Sequence, residues 1–207
     1  MDILVTGFKP WGKYKKNPSG ELAERLDGRV VKNHIIRGYE LEVSYKKVEK
    51  DIPSLIAKHE PVITLHLGLA AGTSYIRVER VAINIIDAGS DVEGREIKDE
   101  PIVPGGPIAY FSTLPTRSIV ERLRKEGIPA RLSYTAGTFL CNYTMYTSLH
   151  TIKTMGLTTL SGFIHLPLTP EMVLDGSAPS MPLEMMEKAV LVAIDVSLEH
   201  ARKMKNQ

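Results

Sequence analysis

The sequence predicts an α/β protein, a three-layer α/β/α sandwich built on a mostly parallel, twisted sheet. Short β-branched or apolar runs alternate along the chain with longer stretches of helical period, the pattern of strands joined by crossover helices. Gly, Pro and Asn bound most of these runs, so each element has a stop signal. A length of 207 residues supplies a substantial core but divides awkwardly in two, and residues 1–207 are therefore read as a single domain.

The elements follow in order. Ile3–Thr6 reads as the first strand, and the helix after it is capped by Asn17 with Pro18 at its first position, where a missing N–H costs nothing. Strands are expected near residues 29–37, 41–45, 62–67, 76–86, 130–134 and 159–165. Helices are expected near 46–59, 116–126, 141–155 and 182–204. The segment from Asp87 to Pro115 contains Pro104-Gly105-Gly106-Pro107, has little periodicity and reads as a long loop, as does Pro167 to Pro182. Loops of this length border sites or subunit interfaces. In the terminal helix, Met186, Ala189, Val190, Ala193, Ile194, Val196 and Ser197 spread more widely than one narrow stripe, so it is expected to bury more than one face.

Composition narrows the function. Apolar content of 43% and charged content of 24% are ordinary for a globular protein. A net charge of +2 gives no electrostatic case for nucleic acid or a membrane surface. The run Lys13-Tyr14-Lys15-Lys16 reads as a solvated loop at the rim of a site. One cysteine excludes an intrachain disulfide, and no signal-peptide core or membrane-length apolar run is present, so the expected compartment is the cytoplasm. There is no Gly-x-Gly-x-x-Gly, phosphate loop, Gly-x-Ser-x-Gly, internal repeat or metal-ligand cluster, and no cofactor is expected.

That cysteine, Cys141, lies in Tyr134-Thr135-Ala136-Gly137-Thr138-Phe139-Leu140-Cys141-Asn142-Tyr143, where a glycine-containing turn gives way to a helix with Leu140, Tyr143, Met145 and Leu149 among its apolar residues. The unpaired N–H groups and positive dipole end of a helix N-terminus favour thiolate over thiol and can hold an oxyanion. A lone cysteine is otherwise a small buried hydrophobe.

Further residues argue for chemistry. Glu79 lies in Ile76-Arg77-Val78-Glu79-Arg80-Val81-Ala82-Ile83-Asn84-Ile85-Ile86, whose β-branched content reads as one strand. Alternation groups Glu79 with Val81, Ile83 and Ile85, an apolar face on which a carboxylate needs a partner. Arg77 or Arg80 could give a structural salt bridge, although Arg80 points to the opposite face. His165 closes the run Leu160-Ser161-Gly162-Phe163-Ile164-His165-Leu166-Pro167, at a strand's carboxyl end where open α/β sheets bind ligands. His66, in Ile63-Thr64-Leu65-His66-Leu67-Gly68, occupies a similar position, and periodicity does not separate the two histidines as candidate bases.

The whole chain resembles the pyroglutamyl peptidase I family of cysteine peptidases, also called pyrrolidone carboxyl peptidases. The resemblance is carried by Thr6-Gly7-Phe8-Lys9-Pro10-Trp11-Gly12 with Asn17-Pro18-Ser19, by Gly68-Leu69-Ala70-Ala71-Gly72, by Glu79-Arg80-Val81-Ala82-Ile83-Asn84, by Gly137-Thr138-Phe139-Leu140-Cys141-Asn142, and by Gly162-Phe163-Ile164-His165-Leu166-Pro167. It implies a phosphorylase/hydrolase-like sandwich, removal of N-terminal pyroglutamate from peptides through a thioester, and a homo-oligomer, often a tetramer in prokaryotic members. It also implies Cys141 as nucleophile, His165 rather than His66 as base and Glu79 as the group orienting the imidazole, with no metal. The substrate lactam would lie against Phe8, Trp11 and Phe139, with Leu69 and Leu140 beside them.

Some positions depart from the family pattern. Glutamine is common where this chain has Leu69, arginine where it has Thr73, and arginine again where it has Gly89 after Asp87-Ala88. A nucleoside phosphorylase or hydrolase of similar fold, and a pyroglutamyl-binding protein with weakened turnover, are the alternative functions; the first needs an anion site, and the second is motivated by Gly89 and Thr73.

Overall fold

The computed structural model describes residues 1–205; positions 206 and 207 of the expected domain lie outside the described residues. Strands and helices alternate largely as expected: β1 (Asp2–Phe8), α1 (Pro18–Leu26), β2 (Val30–Val31), β3 (His34–Leu41), α2 (Tyr45–His59), β4 (Ile63–Leu69), β5 (Ile76–Glu79), β6 (Val81–Ile83), β7 (Ile86–Ala88), β8 (Ile97–Glu100), β9 (Ala109–Phe111), α3 (Thr116–Lys125), β10 (Ala130–Ser133), α4 (Leu140–Thr154), β11 (Leu160–Leu166) and α5 (Leu183–Lys205). The Asn17 side chain caps α1 by accepting from Ser19 N–H, with Pro18 in the first turn.

The main sheet runs β10-β5-β11-β4-β1-β3-β2. Its β3, β1, β4 and β11 are mutually parallel. By contrast β5 lies antiparallel to β11 and carries β10 parallel to itself. The architecture is thus mostly parallel and mixed. Strand residues alternate between two apolar cores, giving three layers. Ile63, Leu65, Leu67, Ile76, Val78 and Ile164 face α1, α3 and α5, whereas Leu4, Phe8 and Phe163 face α2 and α4.

Several expectations change. The span read as strands 29–37 and 41–45 is a hairpin of β2 and β3, turned at Lys32 and Asn33, whose φ values of 47° and 66° are left-handed. Residues after Leu41 leave the sheet because the Ser44 side chain accepts from Lys47 N–H and starts α2. The single strand expected over 76–86 is three. After Glu79 the chain leaves the main sheet, and β6 pairs with β9 while β7 pairs with β8. The supposed loop from Asp87 therefore supplies strands of its own; their short length and irregular pairing hid them from periodicity. In α5, Met186, Ala189, Val190, Ala193, Ile194, Val196 and Ser197 are all buried within this chain. The wide apolar arc is explained by packing onto its own sheet and neighbouring helices.

Candidate active site

The carboxyl ends of β1, β4 and β11 meet the N-terminus of α4. Gly137, with φ of +80°, lets the chain turn into α4, whose N-cap is Phe139 and whose first residues are Leu140 and Cys141. The half-buried thiol of Cys141 lies directly over Gly68 on β4, since a Cβ built there would come within 2.9 Å of the sulfur. No side chain caps α4, so its first backbone N–H groups keep their donor capacity beside the thiol.

Register places the remaining groups. β11 and β4 align His165 with Gly68 and Phe163 with His66. His165 thus stands beside the sulfur, whereas His66 sits two residues deeper. From the other side, β5 pairs Glu79 with Phe163 and Arg77 with His165. Glu79 reaches diagonally, and His165 Nδ1 donates to its Oε1 over 2.8 Å. The same oxygen lies 3.2 Å from Arg77 Nη2, which also donates to Ser133 Oγ at 2.9 Å and Thr135 O at 2.8 Å. The expected apolar face around Glu79 is replaced by Arg77 and His165, because the strand ends before Val81. The salt-bridge and the imidazole partners are both present.

Electrostatics separate the histidines. Burial works against a charge on His165, but its electrostatic interactions with Cys141, then with Glu79, outweigh burial and raise its pKa to about 9. His66 is fully buried, shares a 2.8 Å hydrogen bond between its Nδ1 and Thr6 Oγ1, and has its pKa lowered to about 3 by burial. It is a neutral core residue that cannot hold a proton in transit. Geometry thus brings Glu79, Cys141 and His165 together and leaves His66 out.

Beside the sulfur opens a cleft of about 170 Å³ lined by Phe8, Trp11, Leu69, Phe139, Leu140 and Cys141, with Tyr14, Asn17, Val43 and Ala71 completing it. Every residue expected to contact the ring lies on this wall. Trp11, 41% exposed, packs on Phe139 with ring centroids 5.2 Å apart, and Tyr45 meets Phe139 edge-on at 5.6 Å. Phe8 also belongs to the core beneath, so one side chain both packs the interior and lines the cleft. Sequence reasoning missed Tyr14, Asn17, Val43 and Ala71; Asn17 was legible as a cap alone, and Tyr14 lay in the lysine run read as rim. Among the described residues lining the cleft there is no lysine or arginine, unlike a phosphate-using site. Thr73 Oγ1 donates to Ala70 O over 3.1 Å, and a Cβ at Gly89 would meet nothing within 4 Å.

The comparisons with known proteins agree. A family model described as pyroglutamyl peptidase matches residues 1–200. The pyrrolidone-carboxylate peptidase of Pyrococcus furiosus is 47% identical over 205 residues, covering 96% of this chain and 99% of its own. That of Bacillus subtilis is 37% identical over 205 residues, covering 99% and 95%. The crystal structure of pyrrolidone carboxyl peptidase from P. furiosus superposes with a TM-score of 0.94 at 46% identity, covering 97% of this chain and 100% of that one. With the site geometry, the fold and this full-length similarity in agreement, the chain belongs to the pyroglutamyl peptidase family.

Proposed function

We propose that this protein is a cysteine peptidase that removes N-terminal pyroglutamate from peptides, with residues 1–207 forming one catalytic domain. The observation that carries the proposal is the single thiol at the foot of an aromatic cleft, beside a histidine that a buried carboxylate orients. With His165 Nδ1 bound to Glu79, Nε2 is the nitrogen left to exchange a proton with Cys141 Sγ. The sulfur attacks the pyroglutamyl carbonyl, and the first N–H groups of α4 stabilise the oxyanion. His165 then protonates the leaving amine, the C–N bond breaks, and a thioester remains on Cys141. Water, deprotonated by His165, hydrolyses the thioester to free pyroglutamate and restores the thiol. Glu79 holds the ring and stabilises its charged form throughout.

The lactam ring is neutral and its methylenes are apolar, which suits a wall of Phe8, Trp11, Leu69, Phe139 and Leu140. Release of a chromophoric amine from a pyroglutamyl amide, with the prolyl amide as control, tests the activity. Iodoacetamide should label Cys141 and abolish turnover in step with labelling, and Cys141→Ser should be nearly inactive. Full labelling with turnover retained would exclude Cys141 as nucleophile.

The protein is further proposed to act in the cytoplasm as a homotetramer. Support for self-association comes from Ile108 and Phe111, which are 88% and 70% exposed at the β6–β9 ribbon. Light scattering at micromolar protein should give an oligomer, and a concentration-independent monomer would exclude it.

A further inference from the structure

Taking Cys141 as the nucleophile, as proposed above, we infer that Thr138 and Asn142 are positioning residues that clamp the nucleophile's turn to the chain segment Ile83–Asp87 from both sides. They flank Phe139-Leu140-Cys141 in sequence. Asn142 is 1% exposed, and its carboxamide is used on both ends. Its Oδ1 accepts from Ile83 N–H at 2.9 Å, while Nδ2 donates to Ile83 O at 2.8 Å and Ile85 O at 3.2 Å. On the other flank the Thr138 hydroxyl donates to Asp87 O, and Asp87 N–H donates to Thr138 O at 3.3 Å. The clamped segment follows Glu79 closely along the chain. The turn carrying the sulfur is thereby tied to the segment continuing from the residue that orients the imidazole.

The direction of these bonds matters. Thr and Asn near a helix start normally turn inward and cap its free N–H groups. Here neither does, and α4 has no side-chain cap. Both side chains spend their hydrogen bonds on the neighbouring segment, which fixes the turn without occupying the donors that face the sulfur. Phe139, between the two clamps, is held as the shared wall that Trp11 and Tyr45 touch.

Loosening a clamp should lower kcat more than it raises KM, because the sulfur moves relative to His165 while most of the ring wall stays. A displacement of about 1 Å costs on the order of a hundredfold in rate. The expected losses in kcat are thus about 10- to 100-fold for Asn142→Ala and Asn142→Asp, and about 5- to 10-fold for Thr138→Val, with Thr138→Ser restoring activity. The second readout is the pH profile of iodoacetamide alkylation at the single thiol, which reports on the sulfur and its histidine whether or not peptide is cleaved. It should shift in Asn142→Ala and Thr138→Val and be normal in Thr138→Ser. Thr159→Val is the control. Thr159, buried just before β11 at the end away from His165, makes a similar side-chain clamp by donating to Pro61 O at 2.6 Å, so its loss should lower stability without moving the alkylation profile. If the folded Asn142 and Thr138 variants keep wild-type kcat and profile, or if Thr159→Val shifts the profile equally, the clamp is only structural. Failure of wild-type protein to cleave any pyroglutamyl amide would instead overturn the proposed activity and leave the alkylation comparison readable.

Discussion

Replacing Gly68 by alanine puts a methyl group where the nucleophile sits. The added Cβ would stand 2.7 Å from Phe163 Cζ, 2.9 Å from Phe163 Cε1 and 2.9 Å from Cys141 Sγ. Ordinary carbon contacts begin at about 3.5 Å, so a neighbour must yield by roughly 0.6–0.8 Å. Phe163 is fully buried between the sheet and α4 and has nowhere to go. The thiol is a short, half-exposed side chain, and rotation of its χ1 is the cheap relief. That rotation carries the sulfur away from His165. The expected cost is about 10- to 100-fold in kcat with KM little changed, together with about 1–3 kcal/mol of stability from overpacking. For a chain of this size that lowers the melting midpoint by about 2–4 °C per kcal/mol. Steady-state kinetics on a pyroglutamyl amide, the alkylation rate of the single thiol and a thermal melt together check the account. Wild-type kcat and alkylation in Gly68→Ala would refute the packing of sulfur against this glycine. Loss of stability alone would mean that Phe163 moves and the thiol does not.

Other outcomes follow from the site. His165→Ala should abolish turnover, whereas His66→Ala should destabilise the core by about 1–3 kcal/mol through its orphaned Thr6 partner yet keep most of the rate per folded molecule; equal kinetic losses would undo the distinction. Glu79→Gln should lower kcat more than it changes KM, since the amide holds the ring less well and cannot balance its charge; an effect confined to KM would contradict this. An N-terminal glutamyl amide should be cleaved far more slowly than the pyroglutamyl amide, because its ammonium and carboxylate would both have to shed water beside Phe8, Trp11 and Phe139; similar rates would mean the cleft is not the ring site. The two histidines should oppose each other in pH dependence. His165, raised to about 9, contributes stability that is complete below about pH 6.5 and lost as pH rises through about 9. His66, lowered to about 3, resists protonation in the fold, so stability falls by about 1.4 kcal/mol per unit as pH drops below about 6.5. The stability lost between pH 7 and pH 5, read from denaturant midpoints, should be smaller in His66→Phe than in wild type, and an identical loss would show that His66 is not the acid-sensitive group.

Much of this molecule is legible in its sequence because local signals agree with the fold. Asn17-Pro18 starts α1 as its cap chemistry dictates, and the apolar runs of β4 and β11 are strands because both faces of each are covered. What sequence periodicity missed is pairing. The β-branched run after Ile76 has uniform strand character, and nothing local says that Glu79 ends one sheet and Val81 begins another; partner availability decides that. His66 and His165 look alike for the same reason, since both alternate onto the same face. Their difference is a two-residue offset in the register between β4 and β11, a long-range quantity that only the family motifs supplied. The clamp by Thr138 and Asn142 was likewise hidden, because short polar residues at a helix start read as caps.

The strand that carries Glu79 enters the sheet against the direction of β11, and that reversal has a consequence for biogenesis. Glu79 and Cys141 precede the histidine in the chain, and β11, residues Leu160–Leu166, is the strip that joins β4 to β5. Until it is inserted, the two halves of the sheet have no common seam, the carboxylate has no imidazole to hold, and the thiol has no base beside it. A nascent chain short of that strand therefore lacks the seam on which the thiol, the imidazole and the carboxylate come together, and the site is completed by a pairing between residues far apart in sequence.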